Sequence, residues 1–202
     1  PMAGLEYTAP MSVLTEKLIE GSGVPVTVLS RNVAVTEVAN LVFGGKRGIH
    51  SIETLKPSQL FGCVVCQPAI GNRSKELHAD GFGGEVVTSL ASTVSEKGRL
   101  LWLTGRGVLS AQGAKATFST LEDQGLHVTA IIDIPAGGFP GTPIEGVLIV
   151  LERRVPVKKL VGSLRDEEVA APMASDLLKG PMKKAGSSWA WIEPNDPSTY
   201  GG

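Results

Sequence analysis

Positive charge is not in excess in this sequence. Nineteen Lys and Arg stand against twenty Asp and Glu among 202 residues, a formal net charge of −1. A domain that grips duplex nucleic acid by itself carries a clear basic excess. Any such contact here must be local, or shared with another domain or subunit. Long apolar runs are also lacking. None approaches the ~20 residues that cross a bilayer, so no membrane partner is expected. No basic, apolar, small-residue leader opens the sequence, which makes the cytoplasm the expected compartment. Cysteine is nearly absent, with only Cys63 and Cys66. Their CxxC spacing invites zinc or redox chemistry. Zinc takes about four ligands, and His50 and His78 show no paired spacing. A redox pair favours a helix N-terminus, whereas these two lie in the apolar run 61–66. They read as small core hydrophobes, and no metal site is expected.

Hydrophobic residues make up 42% of the chain, enough for the core of one domain. Strand and helix signals alternate, which predicts an α/β sheet. Met11, Leu14 and Leu18 recur at helical spacing behind Pro10. Strands are expected over 24–29, 49–52 and 60–66. Between the first two, Val35, Val38, Ala39 and Val42 give a helix an inner face, closed by Gly44 and Gly45. Residues 72–84 read as a polar, glycine-rich loop. The next helix buries Val86, Val87, Leu90, Ala91 and Val94, and is expected to end at Gly98 before a strand over 99–104. A helix over 112–123 precedes strands over 126–134 and 147–151. No helix separates those last two, so they should pair antiparallel. Arg153, Arg154, Lys158 and Lys159 form a basic cluster. A helix over 166–179 is expected to kink at Pro172. An extended tail follows, pinned by Trp189 and Trp191. The division is thus 1–152 for the main domain and 153–202 for a C-terminal helix and tail.

Residues 98–152 carry a specific resemblance. Ile134-Pro135-Ala136-Gly137, Phe139, Gly141-Thr142, Ile144 and the run 147–151 follow the order "LPAGVF…GTxIPTxILVL". That pattern belongs to the N6-adenine DNA methyltransferases, above all the modification subunits of type I restriction-modification systems. Earlier segments match more loosely. Pro1-Met2-Ala3-Gly4 falls at "DPACGSG", Asn40-Leu41 at "NL", Glu53-Thr54-Leu55 at "DSL" and Gln67-Pro68-Ala69-Ile70-Gly71 at "NPPFG". The resemblance implies a Rossmann-like class I sheet, mostly parallel with a C-terminal antiparallel hairpin. It also implies S-adenosylmethionine as cofactor, DNA as partner, and other subunits of a restriction-modification complex.

In that family the glycine-rich first motif lets backbone approach the cofactor closely. This places Pro1, Ala3 and Gly4 at the cofactor, with Glu6 where a further glycine is expected. An acidic residue after the second strand binds the ribose hydroxyls; Ser30 and Arg31 stand there, and arginine offers no acceptor. Glu53 and Thr54 fall beside the adenine ring. The fourth motif orients the exocyclic amine of a flipped adenine through an Asn carbonyl, and stacks an aromatic ring on the base. Here Gln67 replaces Asn, Pro68 is kept, Ala69 replaces the second proline, and Ile70 replaces the aromatic residue. The catalytic set Gln67, Pro68, Ala69 and Ile70 is therefore altered at three of four positions, which predicts lost adenine methylation. Asn72, Arg73 and Lys75 follow where the family approaches the target base.

This alignment leaves no strand ahead of the first motif, so a central strand is expected to be missing. A rival alignment sets Tyr7-Thr8-Ala9-Pro10 at an upstream "YTP" and makes 24–29 the first strand. Three functions stay open at this point. The first is a DNA- or subunit-binding domain without methyl transfer. The second is an active methyltransferase with another acceptor, RNA or a small molecule. The third is a structural piece that completes a larger assembly.

Overall fold

The computed structural model describes residues 2–5, 26–30, 33–43, 49–54, 59–68, 83–138, 143–181 and 188–194. The expected helix around Met11 and the loop residues Asn72, Arg73 and Lys75 lie outside them. In chain order the elements are β1 (Met2–Leu5), β2 (Val26–Ser30), α1 (Val33–Phe43), β3 (Ile49–Thr54), β4 (Phe61–Cys66), α2 (Gly84–Leu90), β5 (Val94–Gly105), α3 (Ala114–Asp123), β6 (His127–Ile134), β7 (Gly146–Glu152), β8 (Lys159–Ser163), α4 (Ala170–Lys179) and β9 (Trp189–Ile192).

Among the described residues the strands form one nine-stranded sheet in the order β3-β2-β1-β4-β5-β7-β6-β8-β9. β1 to β5 run parallel, and β7 is antiparallel to both β5 and β6. The short link between β6 and β7 has no room for a crossover, so the hairpin closes antiparallel, as the sequence predicts. The centre is not missing a strand. Met2–Leu5 itself lies between β2 and β4. Val26–Ser30 is the second strand, which removes the rival alignment.

Both faces of the sheet are covered around β7, which therefore reads as a nearly continuous apolar run. On one face Val86, Val87 and Leu90 of α2 and Phe118 and Leu121 of α3 pack on Val64, Trp102, Ile149 and Leu151. On the other, Met173 and Leu177 of α4 pack on Ala130, Ile132, Val150 and Leu160. β6 serves both layers and carries an irregularity between Val128 and Ala130. Without that bulge Val128 and Ala130 would point to the same side; instead they join opposite clusters. The bulged Thr129 donates its hydroxyl to the Val150 carbonyl at 3.3 Å.

Several boundaries differ from expectation for identifiable reasons. Gly98 does not stop a helix. α2 is short, and Val94 and Gly98 belong to β5. A Cβ on Gly98 would lie 2.8 Å from the Phe61 carbonyl oxygen, so close strand approach, not helix termination, selects this glycine. Pro172 does not kink α4. It is the third residue of that helix, where its missing N–H has no intrahelical partner to lose. Val38, expected inside, is exposed on α1. The 159–163 segment, read only as part of a basic cluster, is a strand parallel to β6. β9 pairs antiparallel with β8, and the Trp189 indole donates to Asp176 of α4 at 2.9 Å.

Arg153 of the basic cluster is structural. Its guanidinium donates to the carbonyls of Ala91 (2.8 Å), Gln124 (2.9 Å) and Val94 (3.0 Å). It thereby ties the end of β7 to the exits of α2 and α3. Hydrogen bonds from a charged donor contribute ~1.5–3 kcal/mol each when buried, and these are only partly buried. Arg153→Met is expected to cost about 3 kcal/mol, read as a lower urea midpoint with an unchanged slope.

Candidate functional site at the carboxyl edge of the sheet

Parallel strands deliver their last residues to one edge. Leu5 at the end of β1 pairs with Leu29 and with Cys66. Ser30 and Thr54 are partners at the last rung of β2 and β3, and Gln67 follows Cys66 directly. Neighbouring strands lie ~4.8 Å apart. Thr54 and Ser30 are therefore adjacent, and Gln67 lies two strands from Ser30, roughly 10 Å away. The chain runs from β1 outward through β2 to β3, then returns across β1 to β4. Open α/β sheets take ligands at such a switch point, beyond the carboxyl ends of the strands.

The structure thus brings Ser30, Thr54 and Gln67 to one edge. Glu53 pairs with Leu29, one residue inside that edge. Ala3 and Gly4 require correction. They are not in a turn, because Ala3 pairs with Thr27 and Val64, and Gly4 with Val28 and Val65. Both therefore sit in ladders on two sides, and the glycine-turn role cannot fall on them. Pro1, Glu6, Arg31, Ala69 and Ile70 lie outside the described residues.

Gln67 is half-buried and Pro68 is buried. What holds Pro68 was missed in the sequence. Gly83, in the left-handed region with φ of 86°, caps α2, and its carbonyl accepts from Val87 N–H at 3.0 Å. A Cβ on Gly83 would lie 2.3 Å from Pro68 Cβ and 2.4 Å from its Cγ. The start of α2 therefore rests on the proline ring, and only glycine permits it. The one available signal was a glycine immediately before a helix.

The same edge continues over β5, β7 and β6. Arg106, just after β5, donates its backbone N–H to the Glu145 carbonyl at 2.9 Å. Its guanidinium donates to Asp133 at 3.1 Å and lies 3.9 Å from the Glu145 carboxylate. None of these three was singled out beforehand, since the ion pairs join residues far apart in sequence. The Pro135-Ala136-Gly137 segment forms the exit of β6. Gly138 N–H donates to Pro135 at 3.0 Å, with Gly137 at φ 87°, as a turn with glycine in its third position requires.

Cys63 is half-buried and Cys66 buried, both as free thiols. Burial pushes both thiols up, and at Cys63 the nearby Arg99 charge offsets only part of that. Neutral thiols in a strand suit the packing role.

The described residues form an open cleft at the opposite edge of the sheet. Glu96, Lys97, Gly98, Arg99, Glu152, Arg153 and Arg154 line it. At its base the nearly buried Glu152 accepts from Nε of both Arg99 and Arg154. Burial alone would raise the Glu152 pKa, but the two guanidinium hydrogen bonds and charges outweigh it and hold it below the ordinary value. A depressed folded-state pKa gives stability that is complete above the unfolded value of ~4.3 and is lost as pH falls through the folded value. Urea melts of the native chain and Glu152→Gln should therefore diverge at neutral pH and converge in acid, as pH falls below the folded-state value. A gap that persists unchanged in acid would contradict this.

Scanned against models of known families and against curated protein sequences, the chain matches none. Solved structures do match. One is assigned to the class I S-adenosylmethionine-dependent methyltransferases of Listeria monocytogenes, at 14% identity and TM-score 0.63, covering 87% of this chain and 63% of that one. Another is the methyltransferase subunit of a type I restriction-modification system from Streptococcus thermophilus, at 12% identity and TM-score 0.65, covering 96% and 51%. A modification subunit assigned to a type I restriction enzyme of Vibrio vulnificus gives 12% identity and TM-score 0.60, covering 95% and 51%. The chain spans between half and two thirds of these proteins. At such identities the likeness is one of fold: a Rossmann-like class I methyltransferase sheet, mixed parallel and antiparallel.

Proposed function

We propose that this class I methyltransferase fold serves a restriction-modification or defence system by binding DNA or partner subunits, without methylating adenine. The supporting observation is Gln67-Pro68 at the switch point between β1 and β4, where the adenine methylases that the sequence resembles carry Asn-Pro. S-adenosylmethionine, when bound, supplies an electrophilic methyl group on sulfonium. The chain's own residues fit its polar end. Ser30 and Thr54 are register partners at the last rung, both of a residue type that can accept from ribose hydroxyls, and Glu53 precedes Thr54 in the strand. Orientation of an adenine amine fits less well. Glutamine is longer than asparagine by one methylene, about 1.5 Å, and a misplacement of an ångström costs ~100-fold in rate. Ile70 supplies no ring, which removes a base-stacking contact of ~1–3 kcal/mol.

The near-neutral chain favours a grip on DNA shared with other subunits. Plasmid DNA recovered from cells producing the chain should contain no N6-methyladenine above the empty-vector level. Accumulation approaching one methyl group per recognition site would overturn the proposal. The half-buried Gln67 amide supports a second reading, methyl transfer to RNA or a small molecule. Calorimetry with millimolar S-adenosylmethionine separates the two, since absence of heat removes the second.

A further inference from the structure

The cleft at the edge away from Gln67 holds more positive charge than its own carboxylates balance. Among the described residues that line it, Lys97, Arg99, Arg153 and Arg154 stand against Glu96 and Glu152. Glu152, its side chain 5% exposed, is fully engaged, with one oxygen taken by Arg99 Nε and the other by Arg154 Nε. One carboxylate therefore fixes the spacing of two guanidinium planes. Their terminal nitrogens meet no protein acceptor among the described residues. Arg153 spends its nitrogens on three carbonyls. Carbonyls bring partial charge but no anion, so its positive charge is only partly offset. Lys97 is exposed and pairs with no acid among the described residues.

From these observations we infer that the cleft is a binding site for phosphate groups. Pre-positioned guanidinium forks match the oxygens of a phosphate in paired hydrogen bonds, and a lysine beside them adds a mobile point charge. The site is separate from the carboxyl edge. Arg99 lies six residues before Gly105 on β5, roughly 20 Å away at ~3.3 Å per residue. The shared chemistry is the phosphate group, carried either by a free phosphate compound or by the backbone of a nucleic acid.

Two titrations of the full chain at low salt test it, one with a labelled single-stranded oligonucleotide and one with inorganic pyrophosphate. Lys97→Gln and Arg154→Gln should each weaken binding about tenfold. Lys115→Gln, the same charge change at an exposed site on α3, should leave it unchanged. Lys97 is exposed and makes no ion pair among the described residues, so its variant stays informative even if loss of Arg154 destabilises Glu152. Pyrophosphate binding that is lost in these variants assigns the site to free phosphate groups. Oligonucleotide binding alone, with the same losses, assigns it to a nucleic-acid backbone. Binding of neither probe, or equal weakening by Lys115→Gln, overturns the inference.

Discussion

Replacing Trp102 with alanine should cost about 4 kcal/mol, the largest stability loss of any single substitution considered for this protein. Trp102 is completely buried. On β5 it pairs with Cys66 of β4 on one side and Ile149 of β7 on the other. Its ring lies 6.1 Å from that of Phe118, tilted by 50°, within the range where aromatic pairs add to simple burial. Alanine there would open a void beneath α2 and α3 that a two-sided sheet cannot collapse to fill. Trp102→Phe keeps a ring in place and should cost less than half as much. Urea denaturation followed by far-ultraviolet circular dichroism measures both. A loss under about 1 kcal/mol for the alanine variant would mean that this layer is not packed as described.

Gly83→Ala is the second large effect, and it acts closer to the candidate site. Two costs combine. An alanine held in the left-handed region loses ~1–2 kcal/mol. Its Cβ would also come within 2.4 Å of two atoms of the Pro68 ring, which is rigid and buried and cannot swing aside. The expected total is about 3 kcal/mol, or roughly 6–12 °C in Tm for a chain of this size. The two costs can be separated by a double-mutant cycle. Pro68→Gly removes the whole ring, Cβ included, so Gly83→Ala in that background should lose less than in the native chain. Equal losses in both backgrounds would show that α2 does not rest on Pro68. A positive coupling would show that the Gln67-Pro68 turn and the Gly83 cap of α2 are packed against each other.

Much of the scaffold was legible because it rests on long, periodic segments. The runs at 61–66, 126–134 and 147–151 exceed what a loop tolerates, and the short link between the last two dictates their antiparallel pairing. What escaped is short or non-local. β1 is four residues with a glycine inside, too brief to show a period, and its place at the sheet's centre comes from pairing with β2 and β4, which lie far along the chain. β8 begins with Lys159, buried at 5% exposure, and a lysine does not announce a strand. Gly98 and Gly83 looked like punctuation, yet close approach of Phe61 and Pro68 selects them. At the candidate site, resemblance located Ser30, Thr54 and Gln67 on one edge. It misplaced Ala3 and Gly4, since a motif aligned by its letters does not reveal where the preceding strand ends. Arg106, Asp133 and Glu145 come together only through the β5-β7-β6 order.

The central claim is that a glutamine stands where an adenine methylase needs an asparagine, at the carboxyl edge of a class I methyltransferase sheet. The direct measurement is transfer of tritium from methyl-labelled S-adenosylmethionine to adenine-rich duplex DNA by the purified chain, alongside Gln67→Ala. The two proteins should give the same background counts. Turnover by the native chain at about one per minute or faster, abolished in Gln67→Ala, would contradict it, since a misplaced amide is expected to slow transfer ~100-fold or more.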